Sequence, residues 1–517
     1  MKSLPSIFND VIGPIMRGPS SSHTAASWRV GKFAVQLLNG SLLNALVEFD
    51  KNGAWSTNYR EQGTVLGMNG GLLEIDMADD QMKITEEIAE RKDVKIEYSI
   101  SEFDNTHPNS MLVTLKDDTG DQVKILAASL GGGSFEIQKV DDYRIHTKGD
   151  YYHLFIWSDD PISQDLSAVF PQEIAWQCHS QESQFLIICK SSSEIAQNLV
   201  EHIRQYQSVR KVSYAKPIMP IVSGNQTALP FDTISSLIQY SEDSNLSLGA
   251  LGLMYEQHRS GLTEDELILK MSNLIELIET SIAIGLNGTD YNNRILPQQS
   301  HLIKRAENSK KILQGSIINK IVENVAAIME SKSALEVIVA NPTAGSCATV
   351  GAALKAVSED VKATEEEKLM SYFAAGLVGA YFAMGPGFSA EEHGCQVECG
   401  ASAGMAAAAI VELFGGTTKQ ALGAASMAIQ NMIGLVCDPI ADRVEAPCLG
   451  KNTSAAVNAL SSATMAVAGF AHLIPLDQVL ETIQRVSADM PTCVKCTGLG
   501  GLAITPAAQA IKKKLSI

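Results

Sequence analysis

Between residues 1 and 148 the apolar positions fall in short runs, some alternating with polar ones, each bounded by turn residues. Leu46 to Phe49, Val94 to Tyr98, Met111 to Leu115 and Val123 to Ala127 read as strands on that pattern. Glu86 to Arg91 reads as a short polar helix, so an α+β N-terminal domain is expected over 1–148. Over 150–218 the rhythm changes. Tyr151 to Trp157, Glu173 to His179, Phe185 to Lys190 and Val212 to Ala215 read as strands. Asp165 to Phe170 reads as a poor helix, and Ser193 to Gln205 as a better one, with Ile195, Leu199 and Ile203 on one face. The order βαββαβ is that of a small ferredoxin-like module. Residues 222–229 (VSGNQTAL) form a polar linker. Beyond it, over 225–517, nearly everything reads as helix. Thr263 and Glu266 make a capping-box pattern, and Ile268, Met271, Ile275, Ile278 and Ile282 recur at helical spacing. From residue 400 the chain is rich in Ala, Gly and Ser, which lets helices pack closely. The fold class is therefore an α+β N-terminal domain, a βαββαβ module and a large all-α C-terminal domain.

Composition narrows the field. With 517 residues, 45% of them apolar and 19% charged, the chain is globular and long enough for about three domains. Its net charge of −18 argues against a nucleic-acid or anionic-membrane partner. No apolar stretch reaches the length of a membrane-spanning helix, and the first residues lack the apolar run of a signal peptide. A cytoplasmic protein is expected. Of nine cysteines, seven crowd into residues 347–496, which hints at metal or redox chemistry rather than a disulfide framework.

Cys395, Cys437 and Cys448 lie beside or near Gly or Pro, with 41 and 10 residues intervening. Three thiolates suit an iron–sulfur cluster with one open iron, although widely spaced cysteines are more often small buried residues. The lone CxxC of Cys493 and Cys496 lacks a second pair for zinc, and Cys399 fits as a packing residue. GPSSSHT (Gly18 to Thr24) places Ser20, Ser21, Ser22 and His23 at a helix start, a richer set than a cap requires. HPN (His107 to Asn109) offers an acid or base and an orienting amide in a turn. NPTAGSC (Asn341 to Cys347) offers Thr343, Gly345 and Ser346 as hydroxyl and backbone donors; a plain capped helix would explain it equally well. SLGGG (Ser129 to Gly133) lacks the nucleotide-binding glycine spacings.

Taken in order, GPSSSHT, HPN, SLGGG, NPTAGSC, GCQVE, GLVCDPI, APC and GLGGLAIT resemble the iron–sulfur-dependent L-serine dehydratases, over about 1–145 and 225–505. The first three motifs resemble that family's β portion and the rest its α portion, here in one polypeptide. The intervening module resembles ACT domains, without the usual glycine in SDDPIS (Ser158 to Ser163). The resemblance implies conversion of L-serine to pyruvate and ammonia. It implies a [4Fe-4S] cluster on Cys395, Cys437 and Cys448, whose open iron acts as a Lewis acid. It also implies His107, Asn109 and His23 as catalytic residues, Ser20 to Ser22 with Thr343, Gly345 and Ser346 as substrate-binding ones, and a homodimer. Glu398 is a candidate supporting acid or a buried structural one. Several positions depart from the family pattern: Gln62 stands where His is usual, Cys496 where Glu is common, and QNMIGL (Gln430 to Leu435) where two His are frequent. The chain ends in KKKLSI, without the terminal Cys that closes over the cluster in some members. A desulfidase acting on L-cysteine and a non-catalytic amino-acid or iron–sulfur sensor are the alternatives.

Overall fold

The structure is a computed structural model that describes residues 4–104, 107–162, 170, 174–224 and 229–515. After a short strand β1 (Ile15–Met16), the N-terminal part builds a six-stranded sheet. Its strands are β2 (Leu42–Asp50), β3 (Lys95–Ser101), β4 (Ser110–Asp117), β5 (Gln122–Gly131), β6 (Ser134–Val140) and β7 (Tyr143–Thr147). The order is β3-β2-β4-β5-β6-β7, with β2 and β3 parallel and the other pairs antiparallel. The four expected strands are present but longer. The helix Ala26–Val35 follows the helix start expected at GPSSSHT, whereas β6, β7 and the helix Thr64–Leu72 are additional.

Those two helices cover the inner face, where Val30, Phe33 and Ala34 meet Val47, Phe49, Val113 and Ile125. They cross almost backbone to backbone. A Cβ at Gly67 would lie 1.9 Å from the Thr24 carbonyl oxygen, so this close approach requires glycine. The crossing holds the Ser20–Thr24 segment against the loop before Thr64.

The middle segment forms a second sheet of β8 (Tyr152–Ser158), β9 (Ala175–Gln181), β10 (Gln184–Ser191) and β11 (Val209–Ala215), in the order β11-β8-β10-β9 and wholly antiparallel. Its helix begins at Gln197, four residues later than the pattern suggested, because Ser191 and Ser193 make a turn first. The expected Asp165 to Phe170 helix lies outside the described residues, apart from Phe170. Strand alternation gives the sheet two apolar faces. Leu154, Ile156, Ile187 and Cys189 form one core, whereas Phe155, Trp157, Leu186 and Ile188 join the core of the six-stranded sheet.

The rest is helical, as expected. The helix Cys399–Leu413 is buried on every side from Cys399 to Val411, and its Ala- and Gly-rich surface lets four other helices crowd it. The predicted Thr263–Glu266 capping box opens the helix Glu264–Asn287. The two parts of the chain are stitched together at the N-terminus. Ile7, Phe8, Val11 and Ile12 belong to the helical core, and Glu256 accepts hydrogen bonds from Ser6 Oγ and the Ile7 N–H, both 2.8 Å. β1 then pairs with β12 (Ile338–Val339), immediately before the NPTAGSC loop. No described helix is long and apolar enough to cross a membrane.

Candidate active site

The motifs picked out along the chain meet at the seam between the six-stranded sheet and the helices. Ser21 Oγ accepts the Ala344 N–H at 3.0 Å, which joins GPSSSHT to NPTAGSC. The SLGGG turn bridges Phe388 through Gly131. Thr343 Oγ1 donates to Glu398 Oε1 at 2.7 Å, and Glu398 Oε2 lies 3.5 Å from Cys395 Sγ. A Cβ at Gly345 would come 2.7 Å from the same carboxylate, so a larger residue there would push that side chain from its place. Ser346 Oγ faces Thr343 Oγ1 at 3.2 Å.

Ligand atoms of Cys395, Glu398 and Cys437 lie within 4.8 Å of one another. Cys395, Cys437 and Cys496 form one buried cluster. Cys448 opens the helix Cys448–Val467, and its thiol is pushed up to about 12 by burial, against the pull of Lys332 and with Cys395 adding repulsion. Burial also holds Cys399 well above an ordinary thiol, with Cys395 adding to it. Asn452 ties the loop before Cys347 to the Cys448 turn: its Nδ2 donates to the Gly345 and Cys448 carbonyls. Lys451 Nζ reaches the Val436 carbonyl at 2.6 Å, Asp438 Oδ1 at 2.8 Å and Cys395 Sγ at 3.8 Å. Burial opposes its charge, but the neighbouring sulfurs and Asp438 outweigh that and hold it protonated. The donor set is soft, buried and close to a cation, which suits a cysteine-held metal cluster. Metal charge would supply the deprotonation that burial alone opposes.

Two histidines flank the thiols. Asn58 Nδ2 donates to the Cys496 carbonyl at 2.9 Å, so its Oδ1, 3.0 Å from His23 Nε2, accepts. His23 therefore carries its proton on Nε2, and Nδ1 is an acceptor, 3.1 Å from Ser20 Oγ and Ser22 Oγ. Ser22 Oγ donates to Glu391 Oε1 at 2.9 Å, and that oxygen is 3.7 Å from His23 Nδ1. Burial lowers the His23 pKa, only partly offset by Glu391 and Asn58. Trp55 packs against the ring at 5.5 Å.

His107 is set differently. Its Nδ1 accepts the Asn109 backbone N–H at 3.0 Å, so the proton sits on Nε2. Nε2 stands 3.1 Å from Glu392 Oε2, a charge contact whose angle falls short of a good hydrogen bond. His107 holds the half-exposed Glu392 carboxyl below its usual range, with burial opposing. Asn109 and Asn341 are each 0% exposed, and among the described residues neither side-chain oxygen nor nitrogen has a partner. Unpaired buried amides cost about 1–3 kcal/mol each, so two on segments that meet at one seam point to a missing polar ligand.

All twelve candidate residues named from the sequence thus lie along one seam. Glu391, Glu392, Asn58, Asn341 and Lys451 join them without having been singled out as candidates. Nothing in the local sequence marked Glu391 and Glu392 beyond their position just before GCQVE. The departures Gln62 and Cys496 proved to be neighbours: the Gln62 amide lies 3.5 Å from Cys496 Sγ.

Buried thiols gathered where a helical region meets a β sheet define a candidate metal-holding site. The family model described as serine dehydratase alpha chain matches residues 188–503, more than half of the chain, and the protein belongs to that family. The chain is 34% identical over 285 residues to the probable L-serine dehydratase alpha chain of Bacillus subtilis (strain 168), covering 55% of this chain and 95% of the relative. It is 34% identical over 286 residues to the L-serine dehydratase alpha chain of Peptoniphilus asaccharolyticus, covering 54% and 97%. L-serine dehydratase 1 of Escherichia coli (strain K12) is 30% identical over 286 residues, 53% of this chain and 62% of that protein.

Proposed function

We propose that this protein is an L-serine ammonia-lyase that converts L-serine to pyruvate and ammonia, with a [4Fe-4S] cluster held by Cys395, Cys437 and Cys448. The observation that carries the reading is the gathering of buried thiols beside two histidines and two unpartnered asparagines at one seam. Bound there, the cluster would supply a Lewis-acidic iron that weakens the β-carbon–oxygen bond.

The chain's own groups then divide the proton work. Asn109 and Asn341 supply amides for the substrate's carboxylate and ammonium. His23 is the base: Nδ1 is its unprotonated nitrogen, reached through the Ser20 and Ser22 hydroxyls, and Glu391 at 3.7 Å stabilises the imidazolium formed. His107 assists the departure of the hydroxyl by donating a hydrogen bond from its Nε2–H, which has no well-aligned partner among the described residues. Loss of the α-proton and of the β-hydroxide, together one water, leaves aminoacrylate, which tautomerises to an imine and takes up water to give pyruvate and ammonia. The β11-β8-β10-β9 order supports an ACT-like reading of the middle module, as a docked structural unit.

Anaerobic release of pyruvate and ammonia from L-serine, compared with L-cysteine, tests the activity; faster turnover of cysteine would replace it with the desulfidase reading. α-Deuterated L-serine tests the division of labour. His23→Ala should abolish washout of the label, whereas His107→Ala should keep washout and lose elimination. The reverse pattern would exchange the two roles.

A further inference from the structure

Apart from the thiols and histidines of the seam, a cavity of about 420 Å³ opens where four segments meet: the N-terminal stretch up to β1, the loop after Ile75, residues 217–220 after β11, and the helix Glu264–Asn287. None of the candidate site residues lines it. Its walls are largely apolar, with Ile12, Trp28, Met77, Met219 and Leu274 among them. One buried charge sits in those walls: Arg29, only 1% exposed. Its hydrogen bonds run from Nη1, to the Gly133 carbonyl at 2.7 Å and the Asn9 carbonyl at 3.5 Å, so Nε and Nη2 have no partner among the described residues. Asp10 spends its two oxygens elsewhere, on Ser134 Oγ and the Ser6 N–H, each at 2.8 Å. Arg17 and Arg259, also buried, instead meet carboxylates, Glu336 at 3.1 Å and Glu256 at 3.3 Å. Burial lowers the Arg29 pKa to about 10, with Asp10 opposing, so the group is charged at neutral pH. A buried guanidinium with donors to spare fits a carboxylate, and the walls fit an apolar body behind it.

We infer that this cavity is a second ligand site, for a small carboxylate with an apolar body, and that filling it tightens serine binding at the seam. The Nε and Nη2 N–H groups lie along one edge of the guanidinium and take the two carboxylate oxygens side by side. Two connections run from there to the active site. Gly13 and Pro14 line the cavity; the Gly13 N–H donates to the Ala340 carbonyl at 2.9 Å and the Ala340 N–H to the Pro14 carbonyl at 3.0 Å, directly before Asn341. Arg29 itself holds Gly133, in the turn that bridges Phe388 through Gly131. A ligand that braces these segments braces Asn341, and by linkage serine braces the ligand in return. The binding half stands on the cavity alone, whereas the effect on serine rests on the lyase reading above.

The probe is phenylacetate, titrated by calorimetry into the full-length protein beside its neutral analogue phenylacetamide and inorganic phosphate. The acid should bind once per chain and at least about tenfold more tightly than the amide, the scale of a charge-assisted hydrogen-bonded pair. Phosphate, which has no apolar body, should not displace it. Arg29→Met should erase the preference for acid over amide, and Ala78→Leu, which adds bulk to the cavity lining, should weaken both. Absence of binding at millimolar acid, equal affinity for acid and amide, displacement by phosphate, or undiminished binding in Ala78→Leu would overturn the site. The Ala78 comparison decides the matter even where Arg29→Met fails to fold. In serine turnover, saturating phenylacetate should lower KM at least about fivefold in the unmodified chain and not in Ala78→Leu, the lower range of coupling between two sites. An unchanged or raised KM would overturn the coupling. Binding as expected in reconstituted protein that turns over no serine would instead sink the lyase reading and leave the site standing.

Discussion

The four-stranded sheet and the seam bury the same residue types in opposite company. Cys189 sits on β10 among Leu154, Ile156 and Ile187, and burial alone pushes its thiol far up. Cys395 and Cys437 are nearly as buried, yet Lys451, Asp438, Glu398 and a further thiol crowd around them. The histidines repeat the contrast. His153 is fully buried with both nitrogens engaged, Nε2 with Thr147 Oγ1 at 2.8 Å and Nδ1 with the Tyr151 carbonyl at 2.9 Å. His107 has one nitrogen tied by its own turn and the other without an aligned partner. Burial therefore does not separate structural from functional groups. What separates them is whether the protein itself satisfies them.

The contrast is sharpest at the thiols. Cys395→Ala and Cys437→Ala should remove the visible absorbance of the anaerobic protein and lower serine turnover by at least about a thousandfold, the scale of losing several kcal/mol of Lewis-acid stabilisation. Cys189→Ala should keep iron and turnover and lose only about 1 kcal/mol of stability. Iron retained in Cys437→Ala, or lost in Cys189→Ala, would erase the distinction.

Among the histidines, His107→Ala should lower kcat at least about a hundredfold with little change in stability. His153→Ala should leave kcat unchanged and destabilise the fold by about 1–3 kcal/mol by orphaning its partners. Urea unfolding and initial rates on both variants would reverse the assignment if the two effects changed places.

The unpartnered asparagines give a finer test. In the metal-free protein, Asn341→Ala should be neutral or stabilising, because it removes a buried amide that nothing pairs. Its serine KM should nevertheless rise about tenfold, the effect of losing one polar contact. Marked destabilisation with an unchanged KM would make Asn341 a structural residue.

A pH dependence probes the same buried histidine from another side. Burial lowers the His153 pKa from 6.5 to about 3, with Lys190 adding to it. The unfolded chain therefore binds the extra proton first as pH falls. The stability contributed by neutral His153 is present above about pH 6.5 and is lost progressively toward about pH 3. Replacement by Gln should flatten that part of the stability profile; an unchanged slope would assign it to other groups.

Much of this molecule could be read locally. Strand alternation placed β2 to β5 and β8 to β11 within a few residues, because a half-buried strand writes its two faces into the chain. The Thr263 cap and the small-residue helices were equally legible. The helix Thr64–Leu72 was not, since it packs through glycines rather than through an apolar stripe. The motifs named candidate chemistry because hydroxyl, imidazole and thiol groups clustered at turns. Glu391 and Glu392 looked like ordinary acids until folding placed one beside His23 and the other beside His107. Asn58 had no local mark at all.

By itself, then, the sequence determined which segments become strands and helices, and it carried the motif set of one enzyme family. Those properties depend on residues within a few positions of one another. Tertiary structure alone decided which nitrogen of His23 holds its proton, which amides go unpaired, and that Gln62 and Cys496 meet. Each of these is a contact between segments tens to hundreds of residues apart. Hydrogen-bond direction and thiol environment are set by the atoms on the far side of such a contact, and no local pattern encodes them.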